Sequence, residues 1–82
     1  MGRISRERPK QLAQKLLGIR LSLGLSQNQM LDALGLSEKV YRSAISGYEL
    51  GTREPSLPTL LKYARLAGVI TDVLIDDKAR LL

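Results

Sequence analysis

The sequence predicts an all-α domain of five short helices, and three observations carry that expectation. Gly24, Gly35, Gly51 and Gly68 each close a stretch whose apolar residues recur at helical spacing, as a left-handed residue ending a helix would. Serines stand where helices would begin, at Ser26, Ser37 and Ser56. No segment alternates with period two for long enough to make a strand, and residues 69–75 are the only ambiguous piece.

Each element follows from its own residues. In the first helix Leu12, Leu16, Ile19 and Leu23 recur at spacings of four, three and four, which is one face, and Arg8, Lys10, Lys15 and Arg20 decorate the rest. Ser26 opens the second helix with Gln29 three residues on, the capping-box pattern, and Met30, Leu31 and Leu34 face inward. Ser37 caps the third, in which Val40, Ala44, Ile45 and Tyr48 line one side. Ser56 caps the fourth, with Pro58 tolerated in its first turn and Leu57, Leu60, Leu61 and Ala64 buried. Thr71 followed by Asp72 starts a short fifth helix that runs to about Ile75. The 82 residues divide into a basic, flexible arm over 1–10 and one domain over 11–82, without repeats.

Composition removes several classes of function. There is no cysteine and no histidine, so disulfides, zinc–thiolate sites and the commonest general base are all missing. The expectation is a non-enzymatic domain without a cofactor or a metal. The apolar runs are far too short for a spanning helix, and the N-terminus is charged where a secretory signal would be apolar. A cytoplasmic protein is therefore expected. The net charge is +5, and its placement is uneven. Residues 1–20 carry six basic residues and one acidic, a balance of +5, whereas residues 21–82 carry seven of each.

The stretch from the second helix to the fourth carries the strongest motif. It contains Leu25-Ser26-Gln27 at a helix start, Leu34-Gly35-Leu36-Ser37 at a turn, Ile45-Ser46-Gly47-Tyr48-Glu49-Leu50-Gly51, and Glu54-Pro55-Ser56 before the next helix. These pieces, in this order, resemble the lambda-repressor-like helix-turn-helix domain of the Cro/repressor or XRE type, over about Leu16 to Asp76. The resemblance implies a compact five-helix DNA-binding domain, a transcriptional regulator and most naturally a repressor, with the third helix in the major groove of double-stranded DNA.

The residues support that reading independently. On the third helix Lys39, Arg42, Ser43 and Ser46 are not needed for packing and share one stripe. Arginine can donate a bidentate pair to guanine, and serine can reach a base edge or a phosphate. The competing reading is an ordinary solvated helix face. The resemblance places Gln27 at a phosphate or base edge, where helix-start N–H groups add an anion site. It places Thr52 and Arg53 in a loop against the DNA backbone, although Arg53 could instead pair with Glu54 or Glu49. It makes Arg20 and Glu49 a structural ion pair between the first and third helices.

Three departures from the family pattern stand out. Glu38, Lys39, Val40 and Tyr41 are extra, and four residues at about 100° each amount to roughly one turn, so the recognition helix is expected to be extended at its N-terminus. Leu31 replaces a usually small residue, which implies a repacked junction with that helix. Gly47 stands where a long polar residue is common; it permits close approach of DNA or of a neighbouring segment, or it is neutral. The arm, with Arg3, Arg6, Arg8 and Lys10, either runs along phosphates or is a solvated tail. Val69, Ile70, Val73, Leu81 and Leu82 either complete the core or mediate a homodimer. An antitoxin-like module that holds a toxin and binds its own operator is the alternative function.

Overall fold

The computed structural model describes residues 9–36 and 42–79, without the side chain of Arg42, and these residues form five α-helices and no strand. The helices are α1 Leu12–Ser22, α2 Gln27–Leu34, α3 Arg42–Leu50, α4 Leu57–Ala67 and α5 Thr71–Ile75. Ser37 as a cap, Val40 as a core residue, Lys39 and the proposed extra turn over 38–41 lie outside the described residues, as do residues 1–8 of the arm and the pair Leu81 and Leu82.

The first four helices end in the same way. In each, the glycine adopts a positive φ between 71° and 81°, a region that a Cβ makes costly. The glycine N–H then reaches back to the third residue before it: Gly35 to Asp32 O at 3.0 Å, for example. The next N–H reaches further back, as Leu36 does to Leu31 O at 2.9 Å. This double closure is the Schellman arrangement, and it satisfies carbonyls that a helix end otherwise leaves without partners. It also turns the chain back at once, which is why the connections are so short.

Helix starts are treated less uniformly. Ser26 Oγ accepts from Gln29 N at 3.1 Å while Gln29 Oε1 accepts from Ser26 N at 2.8 Å, a complete capping box. Ser56 Oγ accepts from Thr59 N at 3.3 Å, with Pro58 in the first turn of α4. No side chain of its own caps α1. The two residues just before it are instead held by the distant carboxylate of Asp77, which accepts from Lys10 N at 2.9 Å and Gln11 N at 3.0 Å.

Each helix contributes one of the largest fully buried side chains: Leu16, Met30, Ile45, Tyr63 and Leu74. α1 packs against α3, α4 and α5, α2 against α3 and α4, and α4 against α5. Leu31 is buried on α2. Val69 is half-buried against the core, which supports its role in completing the monomer, whereas Ile70 beside it is 68% exposed. No described helix is long and apolar enough to cross a membrane.

Four inward or outward assignments made from periodicity are corrected. Leu23 is 41% exposed, because α1 stops at Ser22 and the turn at Gly24 delivers Leu25 to the core in its place. Leu57 and Leu61 are also exposed, at 68% and 41%. The buried arc of α4 is Thr59, Leu60, Tyr63 and Ala64, and at about 100° per residue Leu57 and Leu61 lie roughly 90° and 130° from its centre. Lys15, expected on the solvent side of the first helix, is buried. Its ammonium donates to Val73 O at 2.7 Å and Asp76 O at 2.8 Å, so it caps the C-terminal end of α5.

Lys15 and Asp77 therefore make a reciprocal clamp. A cation of α1 takes the carbonyl end of α5, and a carboxylate just after α5 takes the two backbone N–H groups that lead into α1. The two N–H donors from Lys10 and Gln11 hold the Asp77 carboxyl below its ordinary pKa. A carboxyl lowered in the folded state contributes stability above its unfolded pKa and loses it as pH falls through the folded value. Asp77→Asn is expected to melt below the native protein at neutral pH, and the gap should close as pH falls to about 2. Thermal melts across that range check this; a gap of constant size would contradict it.

Candidate nucleic-acid interface

α2 and α3 face each other across the turn at Gly35, and one carboxylate fixes their relation to α1. Glu49, near the end of α3, accepts from Arg20 Nε at 2.7 Å and from Arg20 Nη2 at 3.1 Å, a two-point pairing. It also accepts from Gln27 Nε2 at 3.2 Å, so α1 and α2 are both tied to α3 at one point. Arg20 Nη1 donates to Leu25 O at 2.9 Å, which fixes the turn between α1 and α2. The pairing holds the guanidinium above its ordinary pKa. Both side chains are largely withdrawn from water, with exposures of 15% for Arg20 and 5% for Glu49. The phenol of Tyr63 lies buried in the same neighbourhood, and burial first, then the Glu49 carboxylate, raises its pKa.

This hub sets which face of α3 is outside. Ala44, Ile45 and Tyr48 are buried, while Ser43 is exposed and Ser46 half-exposed. At about 100° per residue Ser43, Ser46 and Leu50 fall within roughly 60° of one another, and the backbone position of Arg42 lies about 40° further round. Leu50 is 74% exposed and ends this stripe. Sequence reasoning passed over Leu50 because it is apolar; its spacing of seven from Ser43 was the available signal. Lys39 lies outside the described residues, and Arg42 is described only by its place at the start of α3.

The remaining site residues divide between α2 and the loop after α3. Gln27 is the first residue of α2, half-buried, with its amide nitrogen held by Glu49. Thr52 and Arg53 are exposed and follow the turn at Gly51. Both are anchored on one acceptor, Gly47 O, which takes Thr52 N at 3.0 Å, Arg53 N at 3.2 Å and Thr52 Oγ1 at 3.4 Å. The carboxylate of Glu49, an alternative partner for Arg53, is engaged by Arg20 and Gln27. The ridge of Ser43 and Ser46, the start of α2 and the loop of Thr52 and Arg53 thus sit on elements locked to one another. No group of acidic, histidine or cysteine residues among the described ones has a metal-holding arrangement.

Comparison with known proteins agrees with this geometry. A helix-turn-helix family model matches residues 16–74. An SPbeta prophage-derived, uncharacterized HTH-type transcriptional regulator, YonR, from Bacillus subtilis (strain 168) is 40% identical over 62 residues, covering 76% of this chain and 54% of that protein. A second HTH-type transcriptional regulator from the same strain, YqaE, also uncharacterized, is 36% identical over 55 residues, covering 67% of this chain and 44% of that protein. The chain spans about half the length of these curated relatives.

The hub has a measurable weight. Removing the Glu49 carboxylate leaves the Arg20 guanidinium withdrawn from water without its partner, so Glu49→Ala is expected to cost about 3 kcal/mol in urea unfolding. A loss below about 1 kcal/mol would mean that the pairing is no stronger than a surface ion pair.

Proposed function

The chain belongs to the XRE-type, lambda-repressor-like helix-turn-helix family, and on that premise we propose that it is a sequence-specific double-stranded-DNA-binding transcription regulator, acting as a repressor, with α3 in the major groove. The observation that carries this reading is the outward stripe of α3, on which Ser43 and Ser46 stand free of the core while Ala44, Ile45 and Tyr48 pin the opposite side. A helix so short gains its stability from the packed face, and its outer residues are spared for a ligand. Small hydroxyls there let the helix approach base edges closely, and Arg42 and Lys39 at its leading end supply donors suited to guanine.

The roles follow from position. Arg42 and Lys39 read bases; Ser43 and Ser46 reach base edges or phosphates. Gln27, Thr52 and Arg53 contact the DNA backbone, and Arg20 with Glu49 holds the three helices in register. The basic segment 1–8 adds sequence-independent attraction to phosphates. The exposed Ile70 beside α5 provides a two-fold contact between copies. A dimer of that kind matches operator half-sites about 34–36 Å apart, one turn of DNA. Such a regulator acts in the cytoplasm of a prokaryotic cell, at the nucleoid.

Selection of bound sequences from a random DNA pool tests the division of labour. Arg42→Ala is expected to relax preference at one base position, at a cost of about 1–3 kcal/mol on the best site. Arg53→Ala is expected to weaken all sequences by about 1 kcal/mol and to flatten the slope of log K against log salt by about 0.9. Identical, sequence-independent effects from both would refute Arg42 as a reader. Deleting residues 1–8 is expected to flatten the same slope by about 0.9 for each phosphate that the segment neutralises. An unchanged slope would assign that segment to a solvated tail.

A further inference from the structure

We infer that Gly47 is a positioning residue for Arg53: it leaves a gap on α3 in which the aliphatic stem of that arginine lies, so that the guanidinium is presented beside the DNA-facing stripe before DNA arrives. A Cβ carbon placed at Gly47 would stand 2.8 Å from Arg53 Cδ, 2.9 Å from Cγ and 3.2 Å from Cβ, distances that any larger residue would have to relieve by moving the stem. Gly47 is itself buried, although it sits in a helix whose neighbouring turn carries the exposed Ser43, because Arg53 covers it. The backbone reinforces the fit, since Gly47 O accepts from both Thr52 N and Arg53 N.

No conformational need explains a glycine here. The glycines with positive φ are Gly24, Gly35, Gly51 and Gly68, and Gly47 is not among them. It stands inside a nine-residue helix, where glycine is unfavourable relative to alanine. A residue that weakens the helix and makes room for one arginine stem is accounted for by that arginine. Arginine can lay its methylenes on a surface and keep its charged head in water, and the gap over Gly47 suits that habit. Ser43 is four residues earlier on the same ridge, so the stem of Arg53 continues that ridge by one turn. Holding the stem in advance removes rotamer freedom that binding would otherwise have to remove.

The DNA readout of this inference rests on the assignment of Arg53 to the DNA backbone; a second readout does not. In the free protein, relaxation of the Arg53 side-chain Nε is expected to show more order than that of exposed Arg65 on α4, and Gly47→Ala is expected to abolish the difference. On DNA, Gly47→Ala is expected to weaken binding between about twofold and fivefold, and to bind no more weakly than Arg53→Ala. The double variant should bind as Arg53→Ala alone does. If Gly47→Ala fails to fold while Gly47→Ala/Arg53→Ala folds, the clash lies with the arginine stem and the inference stands; if both fail, it is overturned. It is also overturned if Arg53 Nε order is the same in both proteins, or if Gly47→Ala binds like the native protein while Arg53→Ala is impaired. If Arg53→Ala itself binds normally, the backbone-contact assignment falls, and the Nε measurement alone decides the role of Gly47.

Discussion

Three helices of this protein meet at one carboxylate. Glu49 takes two N–H groups from Arg20 on α1 and one from Gln27 on α2, while its own backbone belongs to α3. The apolar residues of α3 leave much undecided, because Ala44 is small and Ile45 and Tyr48 could pack at slightly different rotations of a nine-residue helix. Apolar contact is non-directional, whereas a two-point arginine–carboxylate pairing fixes distance and angle together. A pair that is withdrawn from water is weak evidence for net stability, since desolvation offsets much of the attraction. Its consequence here is geometric: the rotation of α3, and with it the outward direction of Ser43 and Ser46, follows from where Arg20 and Gln27 can reach.

The same logic of polar groups setting geometry governs the chain ends. The core has no Phe or Trp and relies on Leu, Ile, Val, Met and Tyr, so a five-residue helix such as α5 has little apolar surface with which to hold its place. Leu74 anchors it in the core, and the clamp of Lys15 on its carbonyls and Asp77 on the two amides leading into α1 supplies direction. That clamp also fixes where residues 10 and 11 stand, so the approach to α1 and the end of α5 are one piece of structure.

Much of this was legible in the sequence because it depends on local chemistry. Gly24, Gly35, Gly51 and Gly68 mark helix ends through a conformation that only glycine adopts easily, and Ser26 with Gln29 marks a start through two hydrogen bonds within three residues. What was misread depends on partners far along the chain. Lys15 sits on the buried stripe of Leu12, Leu16 and Ile19, and the period alone places it inside. Its charge argued against that placement, because the carbonyls it meets belong to residues 73 and 76. Asp77 acts across 66 residues of sequence, and no local pattern announces it. Leu57 and Leu61 look like core by composition, yet the buried arc of α4 is set by Tyr63 and Thr59, which a reading weighted toward leucine passes over. Gly47 was visible as an oddity, but its reason is a side chain from the next loop.

These long-range partners also change the meaning of the charge. The formal excess of +5 lies wholly within residues 1–20. Two of its six cations are committed inside the protein, Lys15 to the end of α5 and Arg20 to Glu49. Neither is available to a phosphate, and their fields are offset at short range by carbonyl dipoles and a carboxylate. The cations left in that quarter are Arg3, Arg6 and Arg8 in the terminal segment and Lys10 at the root of α1, against Glu7 alone. Such charge attracts any phosphate at a distance comparable to a Debye length, without regard to sequence. Residues 21–82 carry no net excess, so what α3 presents outward depends on the direction of its side chains and not on bulk charge. The fold supplies that direction by spending one cation, Arg20, on orientation instead of on attraction.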